Sequence, residues 1–168
     1  MMAELGVMFL IVVLLASCTQ CATLFSPRFG ALFQQCMPGA TWLQALAATL
    51  ALVTLVLLRV DSDFSVQNVA EHSNLSLPML YKIAGSWGNH EGSMLLWLWV
   101  LSFFGWLMIM RGSRHAGVRP AVAVQSGLAA GTALFILFTS NPFARLYPPA
   151  ADGEALNPIL QDVALAMH

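Results

Sequence analysis

The chain has 168 residues, 58% of them hydrophobic and only 9% charged, with a formal net charge of −1 and a mean hydropathy of +0.74. Too little polar surface remains to cover a water-soluble globule of this size, and no nucleic-acid partner is expected of so few cations. The expectation is an all-α, polytopic integral membrane protein: one membrane domain over residues 1–168 with about four transmembrane helices, a long periplasmic loop and a periplasmic C-terminal tail.

The first predicted span runs from about Leu5 to Phe25, long enough to cross a hydrocarbon core that needs ~20 residues. Leu15-Ala-Ser-Cys18 has the form of a lipoprotein cleavage box, but a signal peptide needs a basic start and Met1-Met-Ala-Glu4 offers an acid, so a retained helix is expected. Cys18-Thr-Gln-Cys21 has redox spacing without the strand–turn–helix setting that activates such a pair, and Cys36 is an odd third thiol, so no disulfide framework is expected. A short first loop follows, with Ser26-Pro-Arg28 and Pro38-Gly39 read as helix breakers. The second span is expected over Thr41–Leu58.

The loop from Arg59 to Gly92, about 34 residues, is too long to be structureless. Asp63–Ala70 mixes apolar and polar residues as an interfacial segment does. Asn74–Ala84 predicts a short helix lying on the membrane surface, with Pro78 near its first turn. The third span is expected over Ser93–Met110, a tight basic turn over Arg111–Arg119, and the fourth span over Ala121–Thr139. Beyond it Ser140-Asn-Pro142, Tyr147-Pro-Pro149 and Asn157-Pro158 break any helix, so residues 140–168 read as an extended or turn-rich strap.

No Asp, Glu, Lys, Arg or His falls inside the four spans, which opposes an ion path or proton relay. All eight acids (Glu4, Asp61, Asp63, Glu71, Glu91, Asp152, Glu154, Asp162) fall on the N-terminus, the second loop and the tail, which alternation puts on one face. Arg28, Arg111, Arg114 and Arg119 lie in the short loops of the other, against Arg59, Lys82 and Arg145. Basic residues in short loops stay inside, so both termini are expected in the periplasm of a bacterial inner membrane, or on the equivalent side of the mitochondrial one.

The segment with most chemical content is Trp87-Gly-Asn-His-Glu-Gly-Ser93, a polar, glycine-punctuated stretch running into the aromatic-rich apolar run Met94–Met110. Trp87, His90 and Glu91 are candidates for a loop near a cofactor or partner. The plainer reading makes His90 a solvated or capping residue, since a zinc helix would need a second His where Met94 stands. Trp87 and Trp97 suit an interfacial aromatic belt, and Trp87, Trp97, Trp99 and Trp106 could also stack on a porphyrin edge. His72 with Glu71 reads as a solvated pair, and His115 as one more charge in the basic turn. Asn89 reads as a residue tolerant of positive φ.

Met2-Ala-Glu-Leu-Gly6, Asp63-Phe-Ser-Val66, Val69-Ala-Glu-His-Ser-Asn74, Leu77-Pro78, Tyr81-Lys-Ile-Ala84, Trp87-Gly88, His90-Glu-Gly-Ser93, Leu95-Leu-Trp97, Phe138-Thr-Ser-Asn-Pro-Phe143, Leu156-Asn-Pro158 and Leu160-Gln161 occur in an order that resembles the N-terminal part of the CcmF/NrfE/CcsA-type haem-handling family. The resemblance covers essentially the whole chain. It implies a part in the cytochrome c haem lyase, which takes haem from the chaperone CcmE and joins it covalently to the Cys-x-x-Cys-His of apocytochrome c, with CcmH and, in many bacteria, CcmG and CcmI. It also implies that His168, which matches the histidine opening the family's His-Pro-Pro block, is an axial ligand of haem iron. The family's tryptophan-rich motif and transmembrane histidines are absent from residues 1–168. A split subunit or truncated product completed by a complementary fragment is therefore expected, not catalytic alone and binding haem only in complex. The reading from a different class is a non-catalytic scaffold that docks partners through the periplasmic loop.

Overall fold

The computed structural model describes residues 1–24, 27–112, 115 and 117–154, with side chains described outside 27–34. Six helices account for most of it: α1 (Met2–Cys21), α2 (Pro27–Val60), α3 (Gln67–His72), α4 (Met79–Ala84), α5 (His90–Gly112) and α6 (Val118–Phe138). Four of them, α1, the Gln35–Val60 part of α2, α5 and α6, are long and apolar enough to cross a membrane. The fold is helical as the sequence predicts, and the only strand-like pairing among the described residues is a single antiparallel bridge between Val66 and Arg145.

One expectation fails in detail. Pro38 and Gly39 do not break the chain, because α2 runs straight through them. A proline interior to a helix removes one N–H and so one hydrogen bond, and packing offsets the loss. The Thr41 hydroxyl shares its proton between the carbonyls of Met37 and Pro38 at 3.1 and 3.0 Å. Met37 itself is buried against Ile109 of α5 and Val122 and Ala123 of α6, so packing holds the turn in place.

The long helices close a four-membered bundle in which α1 packs on α2 and α6, and α5 packs on the same two. Small residues allow the close approach: Ala47, Ala48 and Ala51 of α2 and Ala129 and Ala133 of α6 are fully buried beside Leu10, Val13, Leu55, Leu95 and Leu98. The opposite flanks carry exposed Met8, Ile11, Leu15, Leu50, Val53, Leu57, Trp97, Phe104, Leu128 and Phe135, the surface a helix presents to lipid.

A chain of uncharged polar groups crosses the interior. Gln20 Nε2 donates to Gln44 Oε1 at 2.7 Å, Gln44 Nε2 to Ser102 Oγ at 3.0 Å, and Ser126 Oγ to Gln20 Oε1 at 3.0 Å. Each side chain comes from a different long helix, so one network ties all four. Ser102 also donates to the Leu98 carbonyl of its own helix at 2.7 Å, and the single Ser126 hydroxyl proton is shared between Gln20 Oε1 and the Val122 carbonyl, 2.8 Å away. Trp99 adds an indole N–H to Thr49 Oγ1 at 2.9 Å.

The end of the bundle where α1 and α5 begin and α2 and α6 finish is capped by α3, α4 and the tail. Ser62 (φ 53°) lets α2 terminate with paired bonds from Ser62 N–H to Arg59 O and from Asp63 N–H to Leu58 O, the Schellman arrangement with serine in the left-handed position. α4 starts after Pro78 and exposes Met79, Leu80 and Ile83, as a helix lying on a membrane surface does, while Lys82 turns inward to donate to Ser62 Oγ at 2.7 Å.

The tail is more firmly held than a strap of prolines suggests. Phe143 is buried, and its ring lies over Gly6 of α1 so closely that a side chain there would collide with it. Gln67 N–H and Leu146 N–H donate to Ala144 O and Ser65 O, each at 2.9 Å, and Glu154 N–H to Ala70 O at 2.7 Å. Arg145 grips Glu4 with Nε and Nη2 at 2.7–2.9 Å and also reaches Ser65 and Asp63.

Candidate functional site

The centre of the capped end is Arg59, in the last turn of α2 and completely buried. A cation at a helix C-terminus is favourably placed against the helix dipole, yet a buried guanidinium is costly unless its donors are met. Nη1 donates to His72 O at 3.3 Å, and Nη2 donates to Asn68 Oδ1 at 2.6 Å and Asn68 O at 3.3 Å. Gly85 makes room for it: a Cβ there would stand 2.9 Å from Nη1.

Asn68, itself buried, passes the connection on. Its Nδ2 donates to Glu91 Oε2 at 3.2 Å, and its Oδ1 also accepts from Asn89 Nδ2 at 3.3 Å. Asn89 Oδ1 in turn accepts the Gly92 N–H at 2.7 Å, which caps the first turn of α5. Asn89 thus serves as a helix cap; the positive-φ tolerance read from the sequence is not used, since Ser62 is the only described non-glycine residue with φ above zero. Gly92 is required by contact, because a side chain there would run into the Ser86 carbonyl.

Above this network opens a pocket of about 250 Å³ lined by Gln67, Asn68, Glu71, Glu91, Thr139, Ser140, Asn141 and Ala144, with exposed Phe138 at its rim. It joins α3, the start of α5 and the turn after α6. Two carboxylates and several side-chain amides suit cations and N–H donors such as a peptide edge. They do not suit a porphyrin, which has broad apolar faces and carboxylates of its own and needs an axial nitrogen. The described residues also hold no group of three or more His, Cys, Asp or Glu able to bind a metal ion.

The candidates from the sequence are distributed as follows. Glu91 lines the pocket and is half-buried. Trp87 lies exposed in the turn before α5, and His90, also exposed, opens α5 with its ring edge-on to Phe135 at 6.1 Å; neither lines the pocket. His168 lies outside the described residues. His72 and Glu71 do not pair: Glu71 accepts from Gln67 at 2.7 Å, and the His72 ring lies 3.3 Å from Asn68 O. Trp99 is occupied by Thr49 and stacks on Phe103 at 5.4 Å, which leaves it poorly free for a porphyrin. Arg59 and Asn68 are not among the candidates the sequence offers, although a basic residue ending an otherwise apolar span signals an internal partner. Cys18, Cys21 and Cys36 are unpaired.

Fold and composition together define a multi-pass helical membrane protein. The family model described as cytochrome C assembly protein matches residues 87–168. CycK of Bradyrhizobium diazoefficiens is 51% identical over 127 residues, covering 74% of this chain and 19% of that protein. NrfE of Haemophilus influenzae is 38% identical across 100% of this chain and 27% of its own length, and CcmF of Escherichia coli 40% identical over 76% and 20%. A solved structure of the cytochrome c haem lyase CcmF has a similar fold, with a TM-score of 0.74 over 88% of this chain and 26% of that one at 20% identity. The chain belongs to the cytochrome c biogenesis family of CcmF-, CycK- and NrfE-type proteins, and it spans between about a fifth and a quarter of the length of these relatives.

Proposed function

We propose that the chain is the N-terminal membrane portion, or a split subunit, of a cytochrome c haem lyase, which attaches haem delivered by CcmE to apocytochrome c in concert with CcmH. One observation supports this reading above the others. The family-matching segments of loop and tail are fastened to one rigid end of the bundle by Phe143 over Gly6, the Val66–Arg145 bridge and the Glu154–Ala70 bond. A tail anchored through the Glu154–Ala70 bond starts the chain toward His168 from the capped end of the bundle, the end at which α5 begins with His90 and Glu91. His168 is the axial ligand in this reading, and the tryptophan-rich segment that completes the haem site comes from the complementary part. The capped end faces the periplasm, both termini with it, in the bacterial inner membrane.

The isolated chain should then show no stoichiometric Soret absorbance, and co-expression with the complementary segment should restore it. In that complex His168→Ala should abolish cytochrome c maturation, exogenous imidazole should partly rescue it, and His115→Ala should have little effect. Full maturation by the His168→Ala complex would remove the ligand assignment. The acid-lined pocket would then favour the second reading, a scaffold that docks a cationic or peptide segment of a partner through the loop.

A further inference from the structure

At the opposite end of the bundle from the capped one, α5 and α6 part to leave a groove of about 320 Å³ lined by Phe104, Leu107, Met108, Arg111, Gly112 and Val118. Its shape depends on Gly112, where a Cβ would stand 2.9 Å from Val118 Cγ2. The walls are apolar apart from one guanidinium at the mouth, and Arg119 follows Val118 in the first turn of α6. No acid lies in the sequence between Glu91 and Asp152, and among the described residues no salt bridge to Arg111 or Arg119 is formed. Phe104 is half-exposed on the flank that faces lipid, which leaves the groove open sideways to the bilayer.

We propose that this groove binds one anionic phospholipid, with an acyl chain along Phe104, Leu107 and Met108 and the headgroup phosphate at Arg111 and Arg119. An apolar slot that opens to the bilayer and ends in unneutralised cations at headgroup depth matches a lipid in both parts: hydrocarbon below, phosphate above. Charge selects the class. A zwitterionic lipid fills the slot equally well but brings no net charge to the arginines. The site is independent of the reading proposed for the other end of the molecule.

The test uses the full chain in non-ionic detergent, with phosphatidylglycerol and phosphatidylcholine of identical acyl chains competing for retention in native mass spectrometry. One phosphatidylglycerol per chain should be retained with a preference of roughly 25-fold, about fivefold for each arginine. Arg111→Gln with Arg119→Gln should erase the preference. Met108→Trp, which fills the slot and keeps both charges, should lower retention of either lipid about fivefold or more, with circular dichroism confirming unchanged helix content in both variants. Equal retention of the two lipids by the wild type would overturn the proposal, as would a preference that survives the double variant. So would a Met108→Trp chain that retains lipid normally, or displacement of the lipid by millimolar inorganic phosphate.

Discussion

Arg59 illustrates how one residue sets the chemistry of its surroundings. Its guanidinium is buried and spends its Nη donors on Asn68 and His72, so the end of α2 and both ends of α3 depend on one side chain. Substituting Arg59→Leu leaves the acceptors of Asn68 and His72 unmet and Glu91 without its nearby cation, a loss of about 3–5 kcal/mol by analogy with broken buried pairs. Arg59→Lys keeps the charge but cannot offer two donors in a plane, and should fall between. Thermal unfolding in detergent reads both, and a leucine variant that melts with the wild type would contradict this account. Glu4 and Arg145, by contrast, pair at an exposed surface, where solvent screening leaves such contacts little net weight.

At the scale of elements, the tail and α1 are joined by shape more than by charge. The Phe143 ring sits where a Gly6 side chain would have to go. Gly6→Val should therefore lift the tail and open the Arg145–Leu146 bond to trypsin about tenfold faster, the effect of roughly 1.4 kcal/mol on local opening. Gly39→Ala is the control: nothing lies within 4 Å of a Cβ there, so the variant should be cleaved at the wild-type rate, and its helix should gain about 0.5–1 kcal/mol. Equal cleavage of the Gly6→Val and Gly39→Ala chains would mean that the ring is not what holds the tail. The same contacts explain why a segment broken by Pro142, Pro148 and Pro149 still follows a defined path: its backbone groups bond to residues 65–70, and a helix of its own is not needed.

At the scale of the molecule, the Gln20–Gln44 pair is the hinge of the interior network, flanked by Ser126 and Ser102. Gln20→Leu or Gln44→Leu alone leaves a buried amide short of a partner and should cost about 1–3 kcal/mol. The double variant removes both and should cost less than the sum by about 0.6–1.7 kcal/mol, measured as a cycle by unfolding in mixed micelles. Strict additivity would show that the two amides do not act together. Orientation belongs to this scale as well. Reporters fused after Asp63 or Asp152 should register the periplasm and one after Ser113 the cytoplasm; the reverse pattern would invert the proposed placement of the capped end.

Much of this architecture was determined by the sequence alone. Hydropathy and length are sums over neighbouring residues, so the four long apolar helices, the surface helix after Pro78 and the turn-rich tail could be read from local composition. Glu91, a lone acid at the entrance to an apolar run, stands out in the sequence, and the structure places it in the wall of the pocket. Local sums failed where a distant partner decides. Pro38 remains helical because Met37 packs on α5 and α6. Gln20 finds its partners 24 and 106 residues away, and Asn68 meets Glu91 across 23. Amides and hydroxyls carry no charge that would betray their burial in a hydropathy profile, and their energy comes from directional bonds that exist only once the helices are side by side. Tertiary structure alone decided which polar residues form the interior network and which surround the pocket.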